Sequence, residues 1–136
     1  MRRVLLACTA IALLACGGSD STGPAPNVEG TWTLQTVNGD VLPFTFDVEP
    51  PSYTAEVTND VVEINADGTY TETSSIRETD AGTVSEHDQV GTGTWSQRGR
   101  SLDLTDSNGL TVTGTVNETQ NTLTINAGLN LVYSRQ

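Results

Sequence analysis

The sequence predicts an all-β protein: about eight strands in an antiparallel up-and-down barrel, with no significant helix in the mature domain. Three observations predict it. Beyond residue 28, apolar and polar residues alternate over most of the chain, the period of a strand with one wet face. Turn pairs such as Asn38-Gly39, Asp67-Gly68, Asn108-Gly109 and Ala127-Gly128 interrupt that alternation at hairpin spacing. No segment carries the 3.6-residue period of an amphipathic helix. A long meander with one apolar face and no helix to cover it must close on itself or split into a sandwich, and closure also removes its exposed edges.

The first element is a leader. Met1-Arg2-Arg3 is positive, and Val4 to Ala15 is apolar and uncharged. That run is too short for a membrane-spanning helix and suits a secretory signal. Leu13-Leu14-Ala15-Cys16 resembles the bacterial lipobox, in which a small residue precedes the cut and the cysteine thiol receives a diacylglyceryl group. Leu5-Leu6-Ala7-Cys8 has the same form, but a cut there leaves only four apolar residues against the usual seven or more. Residues 1–15 therefore read as a lipoprotein signal peptide and Cys16 as the lipidated residue. Residues 16–28 read as that cysteine and a flexible Gly/Ser/Pro tether. Several acyl chains, palmitate among them, would hold Cys16 stably in a lipid bilayer. By resemblance to sorting in Gram-negative envelopes, Gly17 in place of Asp favours the outer membrane.

Residues 29–136 form one domain-sized unit. Glu29 to Val37 alternates with Trp32 and Leu34 on one face. Asp40 to Asn59 is less regular, with Pro43, Pro50 and Pro51 and the patch Leu42-Pro43-Phe44-Thr45-Phe46. It reads either as a lid dipping Phe44 or Phe46 into one barrel mouth, or as a packed loop with an edge strand that plugs it. From Asp60 onward Val62 and Ile64 share a face. Thr69 to Thr79 puts Tyr70 and Ile76 on one face, and Glu72, Ser74 and Glu78 share it by parity, which is unusual for a dry core. Thr83 to Gln97 is long; with Trp95 inward, Gly93, Gly91, Gln89, His87 and Ser85 face inward too, unless a bulge at the glycines resets the parity. Ser101 to Thr105, Leu110 to Val116, Leu123 to Ile125 and Leu129 to Tyr133 complete the meander.

With Gly30-x-Trp32, Asn65-Ala66-Asp67-Gly68-Thr69-Tyr70, Gly93-Thr94-Trp95 and Leu131-Val132-Tyr133-Ser134-Arg135, the domain resembles the bacterial lipocalin-like domains of small lipoproteins, within the calycin barrels. The resemblance implies that Trp32, next to Gly30, caps the closed end of the barrel and that Arg135 stacks over it. It also implies a barrel that holds a small apolar or amphipathic molecule. Phe44, Phe46, Tyr70, Trp95 and Tyr133 are the candidate wall and mouth residues. The chain departs from lipocalins in being short and in lacking a disulfide and a helix near its C-terminus.

Charge and residue inventory narrow the chemistry. The chain has 17 acidic residues against 6 arginines, two of them in the leader, and no lysine. Such a polyanion does not seek nucleic acid. The only cysteines, Cys8 and Cys16, lie in the leader, so the domain has neither disulfide nor thiol chemistry. His87 is the only histidine, so no zinc site and no catalytic triad is expected. Glu72 and Glu78 stand about 20 Å apart along a strand, too far for glycosidase chemistry. Glu72 with Ser74 reads either as a polar ligand contact or as rim residues on a strand whose other face points inward. Asp60, Asp67, Asp103 and Asp106 are placed near turns, but without a calcium-loop pattern. No metal, cofactor or catalytic residue is expected. The expected function is non-enzymatic binding of a small hydrophobic ligand at the envelope. The alternative is a structural or interaction protein with a filled barrel and a protein partner, used for example as a protease inhibitor.

Overall fold

The computed structural model describes residues 24–49 and 52–136; the leader and Cys16 lie outside them. Ten strands follow one another: β1 (Gly30–Val37), β2 (Asp40–Val41), β3 (Phe44–Glu49), β4 (Tyr53–Ile64), β5 (Thr69–Asp80), β6 (Thr83–Arg98), β7 (Ser101–Asp106), β8 (Thr111–Asn117), β9 (Thr122–Asn126) and β10 (Asn130–Arg135). The described residues contain no helix. Each strand from β4 to β10 pairs with its successor, and β1 pairs with both β10 and β4. Eight strands thus close into an antiparallel up-and-down barrel, as the alternation and turn spacing require. The remaining two are short additions at one end: β2 folds back on β1 through Asn38-Gly39, and β3 pairs with the first half of β4. Asn38 and Gly39 both have positive φ, 53° and 91°, the backbone that a tight hairpin of this twist demands.

The wall is uneven. Strands β4, β5 and β6 run 12, 12 and 16 residues, whereas β7 to β10 run 6, 7, 5 and 6. Only Val61–Ile64 of β4 pairs with β1, and β6 meets β7 only from Gly93 onward. The sheet β3–β4–β5–β6 therefore projects beyond the short wall at one end, and residues 83–92 of β6 are an exposed edge. The long irregular connection after β1 is an edge strand with a turn, and it stands beside the barrel mouth.

The opposite end is shut. Trp32 is 1% exposed and its indole N–H donates to the Val28 carbonyl at 2.8 Å. The guanidinium of Arg135 lies 4.6 Å from the Trp32 ring centroid and donates to the Asn27 carbonyl. Gln97 donates to the Pro26 carbonyl at 2.8 Å. Packing thus begins at Pro26, a few residues ahead of Glu29, and lays residues 26–28 across the barrel bottom. Val28, Leu102, Val116 and Leu123, each no more than 1% exposed, fill the space around Trp32. Two glycines let the walls approach. A Cβ on Gly93 would lie 2.0 Å from the Thr105 carbonyl oxygen and 2.6 Å from the Tyr70 ring, and one on Gly114 would lie 2.9 Å from the Leu123 side chain.

One irregularity determines what the other end contains. The β4–β5 register shifts between Val57 and Asn59, so Thr58 is an extra residue in β4. Ala55 and Val57 face inward before the bulge, and Asp60, Val62 and Ile64 face inward after it. The bulge thereby puts a carboxylate directly opposite Ser74 on the inner face.

Candidate functional site

Asp60 stands in the interior, well inside β4 rather than near a turn, and is 4% exposed. The Ser74 hydroxyl donates to its Oδ2, while Oδ1 has no hydrogen-bond partner. Glu72, opposite Val62 on β5, faces the same space, and the room beside it comes from Gly91 on β6, whose missing Cβ would stand 3.7 Å from Glu72 Oε2. From the other side of the barrel Tyr133, 1% exposed, brings its hydroxyl to the two carboxyls. β4, β5 and β10 thus each contribute to one polar group in the barrel interior.

The electrostatics follow from burial. Desolvation raises the pKa of Asp60, opposed by the Ser74 hydrogen bond and by the nearness of the Tyr133 hydroxyl and the Glu72 carboxyl. Glu72 is pushed up to about 7, first by burial, then by the charge and close approach of Asp60. Tyr133 is raised by burial and by the two nearby carboxyls, so its hydroxyl stays protonated and donates. Glu72 is therefore part-protonated near neutral pH, and the two carboxyls titrate as one coupled pair. Among the described residues no basic side chain lines the cavities beside the pair. The arginine ion pairs are Arg77 with Glu56 at 2.7 Å and Arg98 with Asp103 at 3.8 Å, both apart from the group, and Arg135 is committed to the closed end.

Two cavities meet at this group, with Glu72, Leu131 and Tyr133 common to both. The outer one, about 170 Å³, opens at the mouth between Phe44, Phe46, Val57 and Leu129 and has Asp60, Ser74 and Gln89 in its floor. The inner one, about 150 Å³, lies deeper, against Tyr70, Leu104 and Ile125. Each is smaller than a typical drug-sized site of roughly 300–1,000 Å³, so the interior suits a compact molecule. Phe44 and the 52%-exposed Phe46 guard the entrance; Phe46 sits at a second bulge, between Thr45 and Asp47, which lets both rings face the mouth.

Of the candidate wall residues, Phe44, Phe46, Tyr70 and Tyr133 line these cavities. Trp95 lies elsewhere, near the closed end, where its indole N–H donates to the Asn65 carbonyl at 2.8 Å and its backbone N–H to Gly68. The β5–β6 register runs without a shift through the glycines, so the parity of Gln89 with Trp95 is preserved and Gln89 reaches the cavity. His87 has the same parity but stands beyond the rim, exposed, in an open depression with Glu86 and Asp88. Asp67 accepts from the Thr69 hydroxyl and N–H, and Asp106 from the Leu110 N–H; these bonds hold their hairpin turns and keep both carboxyls below their usual range. Among the described residues no three His, Cys, Asp or Glu side chains converge as a metal site.

Sequence reading missed Asp60 as an interior residue. The signal was present: Asp60 shares the parity of Val62 and Ile64. The Thr58 bulge, which joins that set to Ala55 and Val57 on the same face, leaves no comparable mark.

Comparison with curated proteins and with solved structures gave no match. A family model, Lipocalin-like domain, matches residues 28–125. Its first residue is the buried Val28 that lies under Trp32, and the matched span covers the barrel from the closed end through β9. With eight strands closed in sequence order, one end plugged by tryptophan and arginine and the other open over a small cavity, the chain belongs to the lipocalin-like domain family.

Proposed function

We propose that this protein is a lipid-anchored binding module of the bacterial cell envelope, whose barrel receives a small amphipathic molecule through its open end. One observation carries the reading: a barrel packed tightly at one end holds, at the other, an apolar-walled cavity over a buried polar group. A barrel selected for rigidity alone gains nothing from Asp60 and Glu72 in its interior, because unpaired buried carboxyls cost stability. The reading is binding, supported by the lipocalin-like family and by the apolar walls of the cavity. Acylation of Cys16 would anchor the module in the outer membrane, with the Gly/Ser/Pro linker between lipid and barrel.

Native mass spectrometry of protein extracted from envelopes tests the binding claim. A small molecule should accompany the wild-type chain and be lost from Leu131→Trp, which fills the wall shared by both cavities; a bare wild-type mass overturns the reading. A Cys16→Ala chain should leave the membrane fraction, and its retention there overturns the anchor. The second reading is an interaction protein with a filled barrel. The exposed edge of β6 at residues 83–92 favours it, because an unpaired strand edge accepts a partner's strand.

A further inference from the structure

Granted a ligand in the open half of the barrel, the polar group there restricts its chemistry. We propose that the ligand is an organic ammonium: a compact apolar body carrying one protonated amine, which docks against the Asp60–Glu72 pair.

Four observations lead to this. Two carboxyls converge in the cavity floor, and no lining residue of either cavity is basic. Asp60 is 4% exposed yet keeps Oδ1 without a hydrogen-bond partner, an acceptor held in the interior with nothing donated to it. A buried acceptor of this kind is costly unless something fills the role of donor. The other polar groups of the floor, Ser74, Gln89 and Tyr133, are neutral, so the one charge the floor can take up is a positive one. The walls are apolar and partly aromatic, with Phe44, Phe46 and Tyr133 placed to face a cation's substituents or its charge.

Size and coordination exclude other occupants. A volume of about 170 Å³ equals the liquid share of roughly six waters, enough for a small ring or short branched chain and too little for a fatty acid tail. A fatty acid would also bring its carboxylate against two carboxyls. Calcium sites draw on several carboxylates, and among the described residues no third His, Cys, Asp or Glu joins the pair. An ammonium needs only two or three acceptors, which Asp60 Oδ1 and the Glu72 carboxyl provide.

Binding then exchanges one cation for another. Below about pH 7 the free site holds a proton on Glu72; the ammonium takes its place between the carboxyls, and that proton leaves to solvent. The groups facing the site are Asp60 on β4, Glu72, Ser74 and Tyr70 on β5, Gln89 on β6 and Tyr133 on β10. Of these, burial raises both carboxyls, Glu72 to about 7, and raises the two tyrosine hydroxyls further from ionisation.

Calorimetric titration of the full chain with benzylamine, benzyl alcohol, benzoate and calcium chloride tests this. Near pH 8 benzylamine should bind at least about tenfold more tightly than benzyl alcohol, and benzoate should not bind. Between about pH 8 and pH 6 benzylamine affinity should fall about tenfold, because the amine stays charged and Glu72 takes up its proton. Glu72→Gln, with its fold checked by thermal melting, should remove that pH dependence, and Asp60→Asn should remove the preference for amine over alcohol. Equal binding of alcohol and amine overturns the ammonium proposal and leaves the binding module standing. Absence of binding by any of the organic probes overturns both. Calcium binding that excludes benzylamine replaces the ammonium with a metal ion and also overturns the proposal.

Discussion

The two ends of this barrel are built from the same strands and do opposite things. At the closed end most polar groups of the plug are used within the chain: the Trp32 indole N–H by Val28, the Arg135 guanidinium by Asn27 and by the Trp32 ring, Gln97 by Pro26, with Arg135 Nε alone left without a hydrogen-bond partner. At the open end Asp60 Oδ1 has no partner and Glu72 is driven toward protonation by its surroundings. The first end converts burial into stability. The second retains polar groups that burial penalises, a pattern expected where an interior surface is kept for something outside the chain. A short barrel can accommodate both because the penalty is confined to the tall wall, away from the residues around Trp32 that close the fold.

That contrast can be tested by perturbing each end. Trp32→Ala removes the largest fully buried side chain and should cost about 3–5 kcal/mol in urea unfolding, without altering the preference among ligands of the open end. A cost below about 1 kcal/mol would mean that the closed end is not where stability resides.

The pH dependence of stability should come from the other end. The unfolded chain ionises Glu72 near its ordinary value of 4.5 and the folded chain near 7. Between those values the folded state holds the extra proton. Stability is therefore full below about pH 4.5 and declines as pH rises toward 7, by roughly 2–3 kcal/mol. Asp67 and Asp106 act in the opposite sense and at lower pH, since their folded values are lowered. Urea unfolding at half-unit pH steps should show this decline in the wild type and a much shallower one, from Asp60 alone, over the same window in Glu72→Gln. The same decline in the variant would assign it to another group.

The smallest effect belongs to Arg135→Ala. It removes a cation–π contact worth about 0.5–2 kcal/mol together with the hydrogen bond to Asn27. Residues 26–28 should then lose hydrogen-exchange protection while the Asp60–Glu72 group is unaffected. A change in ligand preference in this variant would show that the two ends are coupled rather than independent.

Alternation and turn chemistry determined most of the fold. The parity of Trp32, Leu34, Val62, Ile64, Leu102, Leu104, Leu123, Ile125 and Tyr133 chose the inner face, and Asn-Gly and Asp-Gly pairs ended the strands, because both are local properties of the backbone. The same parity placed Glu72 and Ser74 beside Tyr70 and Ile76, so half of the polar group was legible as a misfit on an apolar face. The inequality of the two ends was not. Strand lengths give no pairing, and only closure of β1 on β4 at Val61–Ile64 decides that the upper part of β4 leaves the barrel and takes β3 as its neighbour. Nor does alternation reveal the Thr58 bulge, since one inserted residue leaves each half of the strand locally regular. The bulge sets Asp60 opposite Ser74, and barrel closure brings Tyr133 from the last strand to the same carboxyls. The sequence by itself thus determined an eight-stranded barrel, with Glu72 and Ser74 left between its interior and its rim. The tertiary structure decided that Asp60 and Glu72 meet, unpaired by any arginine, because proximity across a closed barrel depends on register and closure, which no local pattern encodes.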